Sequence, residues 1–245
     1  MSLNFTQNWD GVTAPAIPAG WNADAALVTS SAQSRSSPNS LFLNDTGGSK
    51  KYCTYATSSG DDFAIGNLTV AVKEIVTAGA EEYKAGVAYR ASSATISDAS
   101  GVYYWAYLHY NFSGGAPRIK LASVNNGTVT DFGNVQASFD PGSTWYLINA
   151  ICNGTSHQVS FQRTSDNYYL NSSGTFVSSL AYVIGPVTNA TISTGNYCGV
   201  VASGTPNANR VYMDDFAAVS QAPNQVIPHP IYVPVPRRFY TEDWG

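Results

Sequence analysis

The chain has 245 residues, a formal net charge of −4 and only 11% charged residues. Charged residues usually make up about a quarter of a globular protein, and no basic stripe is present, so a nucleic-acid-binding surface is excluded. Aromatic residues reach 13%, with 16 tyrosines, and this composition favours β-strands throughout.

Two further classes are excluded by the pattern of apolar residues. No run approaches the ~18 apolar residues of a membrane span. The N-terminal segment MSLNFTQNWDG has neither the basic start nor the apolar stretch of a secretory signal. We therefore expect synthesis in a cytoplasm, with any release by cell lysis, on a particle, or after removal of an export signal that precedes this numbering.

The first half of the chain contains short strand-like segments between turns. A crossing rich in proline and glycine, residues 11–22, carries Trp21, which we expect to close one edge of the core. Strands are predicted at residues 3–10, 26–29, 40–43, 51–57 and 63–76.

Residues 85–110 contain two strand patterns that flank a polar loop at 91–100. In the second strand, residues 102–110, neither face is plainly polar, although successive side chains of a strand point to opposite faces. We therefore expect an interior strand of a two-sheet sandwich, with one face on the core and the other lining a groove.

The second half continues in the same style. Residues 118–124 are predicted to form a hairpin with the strand before them, and Asn126-Gly127 is a strong two-residue hairpin signal. Further strands are predicted at 145–152, 158–164, 197–202 and 210–219, with a polar loop between 164 and 175. The total of twelve to fourteen short strands predicts an all-β sandwich or barrel.

Three cysteines, Cys53, Cys152 and Cys198, lie in strand-like runs at wide spacing that fits no zinc motif. We favour three buried free thiols. One disulfide with one free thiol is the alternative.

From residue 221 onward the composition changes to a segment with five prolines that precludes a central strand. Such an extended segment with apolar anchors suits docking along another surface. We therefore divide the chain into a domain, 1–220, and a docking tail, 221–245, that contacts another protein chain of a particle or oligomer; packing on its own domain is the alternative. The predicted contact residues are Ile231, Tyr232, Val233, Arg237, Arg238, Phe239, Tyr240 and Trp244.

The order of these features resembles the concanavalin A-like, or laminin G-like, jelly roll of bacterial and bacteriophage surface modules. The resemblance covers residues 3–220 and implies two curved antiparallel sheets with the first and last strands paired. It does not fix function, because this fold serves lectins, hydrolases and structural modules. The matching pieces are NWDGVTAPAIPAGWN, GVAYRASS, GVYYWAYL, the run 142–146 and VYMDDFAAVS.

An enzyme is disfavoured. The hydrolases of this fold carry Glu-x-Asp-x-(x)-Glu on one strand, which sets two carboxylates about 5 Å apart, and the sequence has no such run. Glu81 and Glu82 are adjacent, so they would face opposite ways on a strand. The chain also lacks a Gly-x-Ser-x-Gly elbow, and its histidines have no metal or triad spacing.

Two binding sites are predicted. Asp214 and Asp215 on the last strand, with Asp10, are candidate ligands of a structural calcium ion; the alternative is that they cap backbone N–H groups at the strand junction. The second site is a glycan-binding face, where aromatic rings stack on sugars and nearby arginines bind hydroxyls; the alternative is that these rings are core or covered. Its residues are Tyr103, Trp105, Tyr107, His109, Arg90 and Arg118.

Together these features favour a non-enzymatic module at a virion or extracellular surface. We expect a bacteriophage virion protein with a decoration or receptor-binding role, anchored through its tail. A carbohydrate-binding module of a bacterial extracellular system is the first alternative, and a glycan-cleaving enzyme of the same fold is the second.

Overall fold

The computed structural model describes residues 4–44, 49–55, 63, 65–75, 82–96, 100–111, 115–205 and 211–221. Within these ranges the chain forms seventeen β-strands and no helix, so none of the described segments is a helix able to span a bilayer. The first nine strands are β1 (Asn4–Gln7), β2 (Trp21–Ala23), β3 (Leu27–Ser30), β4 (Ser40–Leu43), β5 (Lys51–Tyr55), β6 (Ile65–Glu74), β7 (Glu82–Ala91), β8 (Val102–Asn111) and β9 (Gly115–Asn125). The others are β10 (Thr128–Gln136), β11 (Tyr146–Asn153), β12 (Ser156–Arg163), β13 (Tyr168–Leu170), β14 (Phe176–Val177), β15 (Ile184–Thr188), β16 (Tyr197–Thr205) and β17 (Val211–Gln221).

The strands form two antiparallel sheets, which confirms the predicted all-β sandwich. The ten-stranded sheet has the order β14-β13-β12-β11-β6-β17-β4-β3, with β1 paired to β17 and β15 paired to β12. The seven-stranded sheet has the order β10-β9-β8-β7-β16-β5-β2. The pairing of β1 with β17 joins the first and last strands, as the resemblance implied.

The core lies between the two sheets, and β11 shows how alternate residues of a strand enter it. In β11 the buried positions are Tyr146, Ile148, Ala150 and Cys152, and the residues between them are partly exposed. Trp21 on the edge strand β2 packs on Trp9, with ring centroids 4.9 Å apart, and on Phe216 at 5.4 Å. Trp21 therefore closes one edge of the core, as predicted.

The Asn-Gly hairpin joins β9 to β10. Asn126 and Gly127 both have positive φ, 46° and 87°, as a two-residue turn between twisted antiparallel strands requires. The prediction of one polar loop at residues 164–175 was wrong in part, because β13 lies within it. Short strands such as β13 and β14 explain why the described chain has more strands than predicted.

The cysteines are all buried and free, which confirms the favoured reading. Burial raises the pKa of Cys53 and of Cys198 well above the ordinary thiol value. These thiols are therefore held in their neutral, unreactive form.

Candidate functional site

The face of the seven-stranded sheet that points away from the core, called here the outer face, contains the predicted ring row. Along β8, Tyr104, Ala106 and Leu108 enter the core between the sheets. The residues between them, Tyr103, Trp105 and Tyr107, form a separate apolar cluster on the outer face. As predicted, β8 is an interior strand, and both of its faces are apolar because one packs in the core and the other in the outer-face cluster.

The rings of this cluster are buried. Tyr103, Trp105 and Tyr107 are 1%, 0% and 2% exposed. Trp105 stacks on Tyr107 with centroids 3.9 Å apart and planes inclined by 16°, and small neighbours, Ala88 and Ala122, flank it on the adjacent strands. Stacking of a sugar on these rings stays a prediction, and it requires that whatever covers them be displaced.

Part of the cover comes from the segment between β7 and β8. Ile96 is buried against the ring cluster. The carbonyl of Ala94 accepts a hydrogen bond from the Thr54 hydroxyl on β5, which holds this segment across the sheet. Gly101 has φ of 107°, and a Cβ there would lie 2.8 Å from Ile96 Cγ2, so glycine is required where the chain returns to β8.

Beyond the rings, the outer face carries a set of polar and charged side chains that we call the polar belt. The register places Lys84 opposite His109, and His109 opposite Arg118. Directly opposite residues of antiparallel strands share one face. The belt consists of Glu82, Lys84, His109, Arg118, Lys120 and Asp131.

Two carboxylates of the belt are tied to its lysines. Glu82 Oε1 lies 2.8 Å from Lys84 Nζ and 2.8 Å from His109 Nε2. Asp131 accepts a 2.7 Å bond from Lys120 Nζ and a 3.3 Å bond from the Tyr107 hydroxyl. Burial acts to raise the pKa of Glu82, but the hydrogen bonds from Lys84 and His109 and the charge of Lys84 lower it overall.

His109 is neutral at physiological pH. Burial, reinforced by the Lys84 charge and opposed by Glu82, lowers the pKa of His109 to about 4. Because Glu82 is ionised, the neutral imidazole donates its proton from Nε2 to that carboxylate. Its Nδ1 is then an acceptor, and it is buried without a hydrogen-bond partner.

Two further groups of the outer face lack partners. The indole Nε1–H of Trp105 is buried with no acceptor. The Arg118 guanidinium makes no ion pair or hydrogen bond in the part of the chain that the structure describes. Among the described residues, the outer face thus combines a cation without a partner with a buried acceptor and a buried indole donor that also lack partners; a ligand would reach the two buried groups only after the side chains over them shift.

Arg90, predicted for the same site, lies elsewhere. Where β7 pairs with β16 the register shifts, and Arg90 has φ of 51°, so its side chain does not continue the alternation of the strand. Its Nη1 donates a 3.0 Å bond to the Ile192 carbonyl, and its charge acts on the Tyr104 hydroxyl. Arg90 is buried with the core-facing residues rather than with the polar belt.

The three candidate calcium ligands cap backbone groups at the β1–β17 junction. Asp214 Oδ2 accepts bonds from the N–H groups of Arg35 and Ser36, at 2.8 and 3.0 Å. Asp215 pairs with the Arg35 guanidinium, and Asp10 accepts a 2.9 Å bond from the N–H of Asn39. Among the described residues no three acidic, histidine or cysteine side chains form a metal-holding group.

Backbone N–H groups already occupy Asp214 Oδ2, an oxygen that a cation would need. Burial and the neighbouring Asp215 carboxylate raise the pKa of Asp214 to about 7, against the lowering effect of the backbone N–H groups. A guanidinium already neutralises Asp215. The capping alternative therefore describes these residues, and they fit calcium poorly.

No family model matches the sequence, and no curated protein matches it. Several solved structures, in contrast, have a similar fold. The carbohydrate-binding module CBM66 from Bacillus subtilis aligns over 82% of this chain and 96% of its own, with 8% identity and a TM-score of 0.51. The calcium-bound exoplasmic/lumenal domain of VIP36 aligns over 94% and 92%, with 14% identity and a TM-score of 0.55. The chain has a concanavalin A-like jelly-roll fold.

Another structure of this fold is part of a larger enzyme. The xylan β-1,4-xylosidase from Bacillus halodurans C-125 aligns over 88% of this chain but only 39% of its own, with 11% identity and a TM-score of 0.55. The likeness thus covers a minor part of that protein. At these identities the neighbours define the jelly roll and leave function to the residues of this chain.

Four members of the polar belt escaped the sequence-based prediction: Glu82, Lys84, Lys120 and Asp131. The Asn-Gly hairpin fixes Asn125 opposite Thr128, and counting back from it would have placed Lys120 beside β10. The register of β9 and β10 shifts by one residue between Asp131 and Gly133, so such a count would have given wrong partners beyond Asp131.

The tail residues predicted to bind a partner lie outside the described residues. They are Ile231, Tyr232, Val233, Arg237, Arg238, Phe239, Tyr240 and Trp244.

Proposed function

We propose that this chain is a non-enzymatic glycan-binding module that is displayed at a surface. The observation that carries the proposal is the polar belt. Among the residues that the structure describes, the buried His109 Nδ1 and the partly buried Arg118 guanidinium have no partner, and they lie beside the Trp105–Tyr107 stack. A sugar hydroxyl both donates and accepts hydrogen bonds, so it can satisfy the histidine acceptor and the arginine donors together.

The position of the belt supports this proposal. β7, β8 and β9 are interior strands, each hydrogen-bonded on both sides, so their side chains are held in fixed register. A rigid set of polar groups binds a ligand with less ordering cost than groups on loops. Two structural neighbours, the carbohydrate-binding module CBM66 and the VIP36 lumenal domain in its Ca²⁺/Man-bound form, agree with a sugar ligand.

A glycan-cleaving enzyme is the weaker alternative. Glu82 and Asp131 are the two carboxylates of the polar belt, but β8 and β9 lie between their strands. Three inter-strand spacings of about 4.8 Å put their strands about 14 Å apart, which is a lower limit for the separation of the two residues. That exceeds the ~5 to 9.5 Å between the carboxyl pair of glycosidases, and each carboxylate is already tied to a lysine.

We further propose display on a particle, as a bacteriophage virion protein with a decoration or receptor-binding role. The low share of charged residues and the proline-rich segment 221–245 support attachment through that tail to another protein chain. A carbohydrate-binding module of a bacterial extracellular system is the alternative. The two differ in whether the tail is needed for assembly with other chains.

Calcium is not included in the proposed function. The neighbour VIP36 is named in calcium-bound forms, which supported the sequence-based hypothesis. The hydrogen bonds of Asp214 and the Arg35–Asp215 ion pair oppose it in this chain.

A glycan array with the purified protein tests the proposal, followed by titration of the best ligand into variants. His109→Ala removes the unpaired acceptor and should weaken binding about tenfold, the effect of one or two hydrogen bonds. Gln162→Ala on the ten-stranded sheet is the matched control and should bind like wild type. The proposal fails if no glycan binds, or if both variants bind as wild type does.

A further inference from the structure

The charges of the polar belt do not cancel, and this imbalance bears on the class of ligand. Lys84 is neutralised by Glu82, and Lys120 by Asp131. His109 is uncharged because burial lowers its pKa to about 4. Within the part of the chain that the structure describes, Arg118 is left as the cation of the belt without an acidic partner.

The chemistry of Arg118 specifies what it would take. A guanidinium presents a planar fork of N–H donors that matches a carboxylate in a bidentate arrangement. Arg118 lies on β9, which is hydrogen-bonded to β8 and to β10, so its backbone position is fixed. It is partly buried, and screening of its charge by water is reduced there.

The neighbour of Arg118 narrows the ligand further. His109 lies directly opposite it across the β8–β9 pair, at the ~5 Å Cβ separation of such pairs. The imidazole Nδ1 is an acceptor without a partner, so it requires a donor such as a hydroxyl. A ligand that satisfies both residues must therefore carry a carboxylate and a hydroxyl within a few ångströms of each other.

We propose that the polar belt selects saccharides that bear a carboxylate, of the uronic-acid type, with Arg118 binding the carboxylate and His109 accepting a bond from an adjacent hydroxyl. This inference rests on the proposed function and adds the substrate class. A neutral sugar would use the hydroxyl contact but would leave the Arg118 charge unmatched. The acidic sugar is expected to bind on the order of tenfold to a hundredfold more tightly, the effect of a charge-assisted contact.

The test uses a panel of uronic-acid oligosaccharides, each paired with its carboxyl-reduced counterpart, and sulfated oligosaccharides as a third set. Affinities are measured for the full chain, for Arg118→Gln and for Arg163→Gln. Arg163→Gln is the matched control because it removes the same charge at a different place. Arg163 lies on β12 of the ten-stranded sheet and is paired with Asp166. Thermal melting of each variant verifies that it is folded.

The expected result is a tenfold or larger preference of wild type for the acidic member of a pair. Arg118→Gln should abolish this preference, because it weakens binding of the acidic sugar far more than binding of the reduced sugar, while Arg163→Gln should keep it. Equal binding of both members of every pair would overturn the inference and leave the proposed function intact. Equal or tighter binding of the sulfated set would overturn the choice of a carboxylate. Binding of no saccharide at all would instead contradict the proposed function.

Discussion

Acid should destabilise this sandwich through His157, which is fully buried between the two sheets. Its Nε2 lies 3.0 Å from the Asn189 carbonyl, and its Nδ1 lies 2.9 Å from the Tyr89 hydroxyl. A carbonyl can only accept, so Nε2 carries the proton, and the Tyr89 hydroxyl donates to Nδ1. Both ring nitrogens are satisfied in the neutral form, and protonation of Nδ1 would force the Tyr89 hydroxyl to accept this bond and would remove the acceptor of its own proton.

The size of the effect follows from the pKa of His157, which burial lowers from 6.5 to about 4. The unfolded chain therefore binds more protons than the folded chain between these two values, so stability rises with pH there. The stability that the neutral His157 imidazole contributes is fully present above pH 6.5 and is lost as the pH falls to about 4. A shift of about 2.5 pH units is worth about 3 kcal/mol.

Other groups titrate in the same range, so the prediction is made for a difference between variants. The pKa of Asp214 is raised to about 7, and that of the buried Glu74 is raised as well; both favour the folded state at low pH and oppose His157. His157→Gln removes the imidazole, while the rest of the chain titrates as before. Urea unfolding of wild type and variant at pH 7 and pH 4 isolates the histidine.

At pH 7 we expect His157→Gln to be less stable than wild type, because the bond from Tyr89 and part of the packing are lost. By pH 4 this gap in the free energy of unfolding should have narrowed by about 3 kcal/mol. Tyr89→Phe is the control: it loses one hydroxyl, and its gap to wild type should change much less with pH. A gap for His157→Gln that is the same at both pH values would refute the assignment of a buried neutral imidazole.

Three further predictions follow from the described contacts. Addition of EDTA should leave the melting temperature unchanged, because Asp214 is satisfied by backbone N–H groups; a fall of several degrees would restore the calcium hypothesis. Removal of residues 222–245 should leave a folded monomer that no longer associates with other chains, as measured by circular dichroism and sedimentation; a truncated chain that fails to fold would show that the tail belongs to the domain. Cys53, Cys152 and Cys198 should be inert to a thiol reagent in the folded protein and all three should react in urea, whereas fewer than three reactive thiols in urea would indicate a disulfide.

The fold was accessible from sequence because its signals are local. The Asn126-Gly127 turn sets the β9–β10 hairpin, and the two-faced apolar pattern of β8 indicates an interior strand. Each depends only on neighbours in the chain and on the period of two in a strand. Short strands such as β13 were missed, since three residues give too little alternation to distinguish from a loop.

The candidate site was less accessible because it depends on register between distant segments. The polar belt joins residues from four strands, between Glu82 and Asp131, and a shift of one residue would move any of them to the other face. Arg90 illustrates this: the register shift beside it takes its side chain out of the predicted site. The burial of Trp105 was named from the sequence only as the alternative, because part of its cover, Ile96, lies in a polar loop.

The central claim is that the outer face of the seven-stranded sheet binds a glycan. Mapping of backbone amide shifts on addition of the best array ligand tests it most directly, because it reports the site without any mutation. We expect the shifts to concentrate on β7, β8 and β9, around Lys84, His109 and Arg118. Shifts confined to the ten-stranded sheet, or no shifts at ligand concentrations that saturate the array signal, would contradict the account.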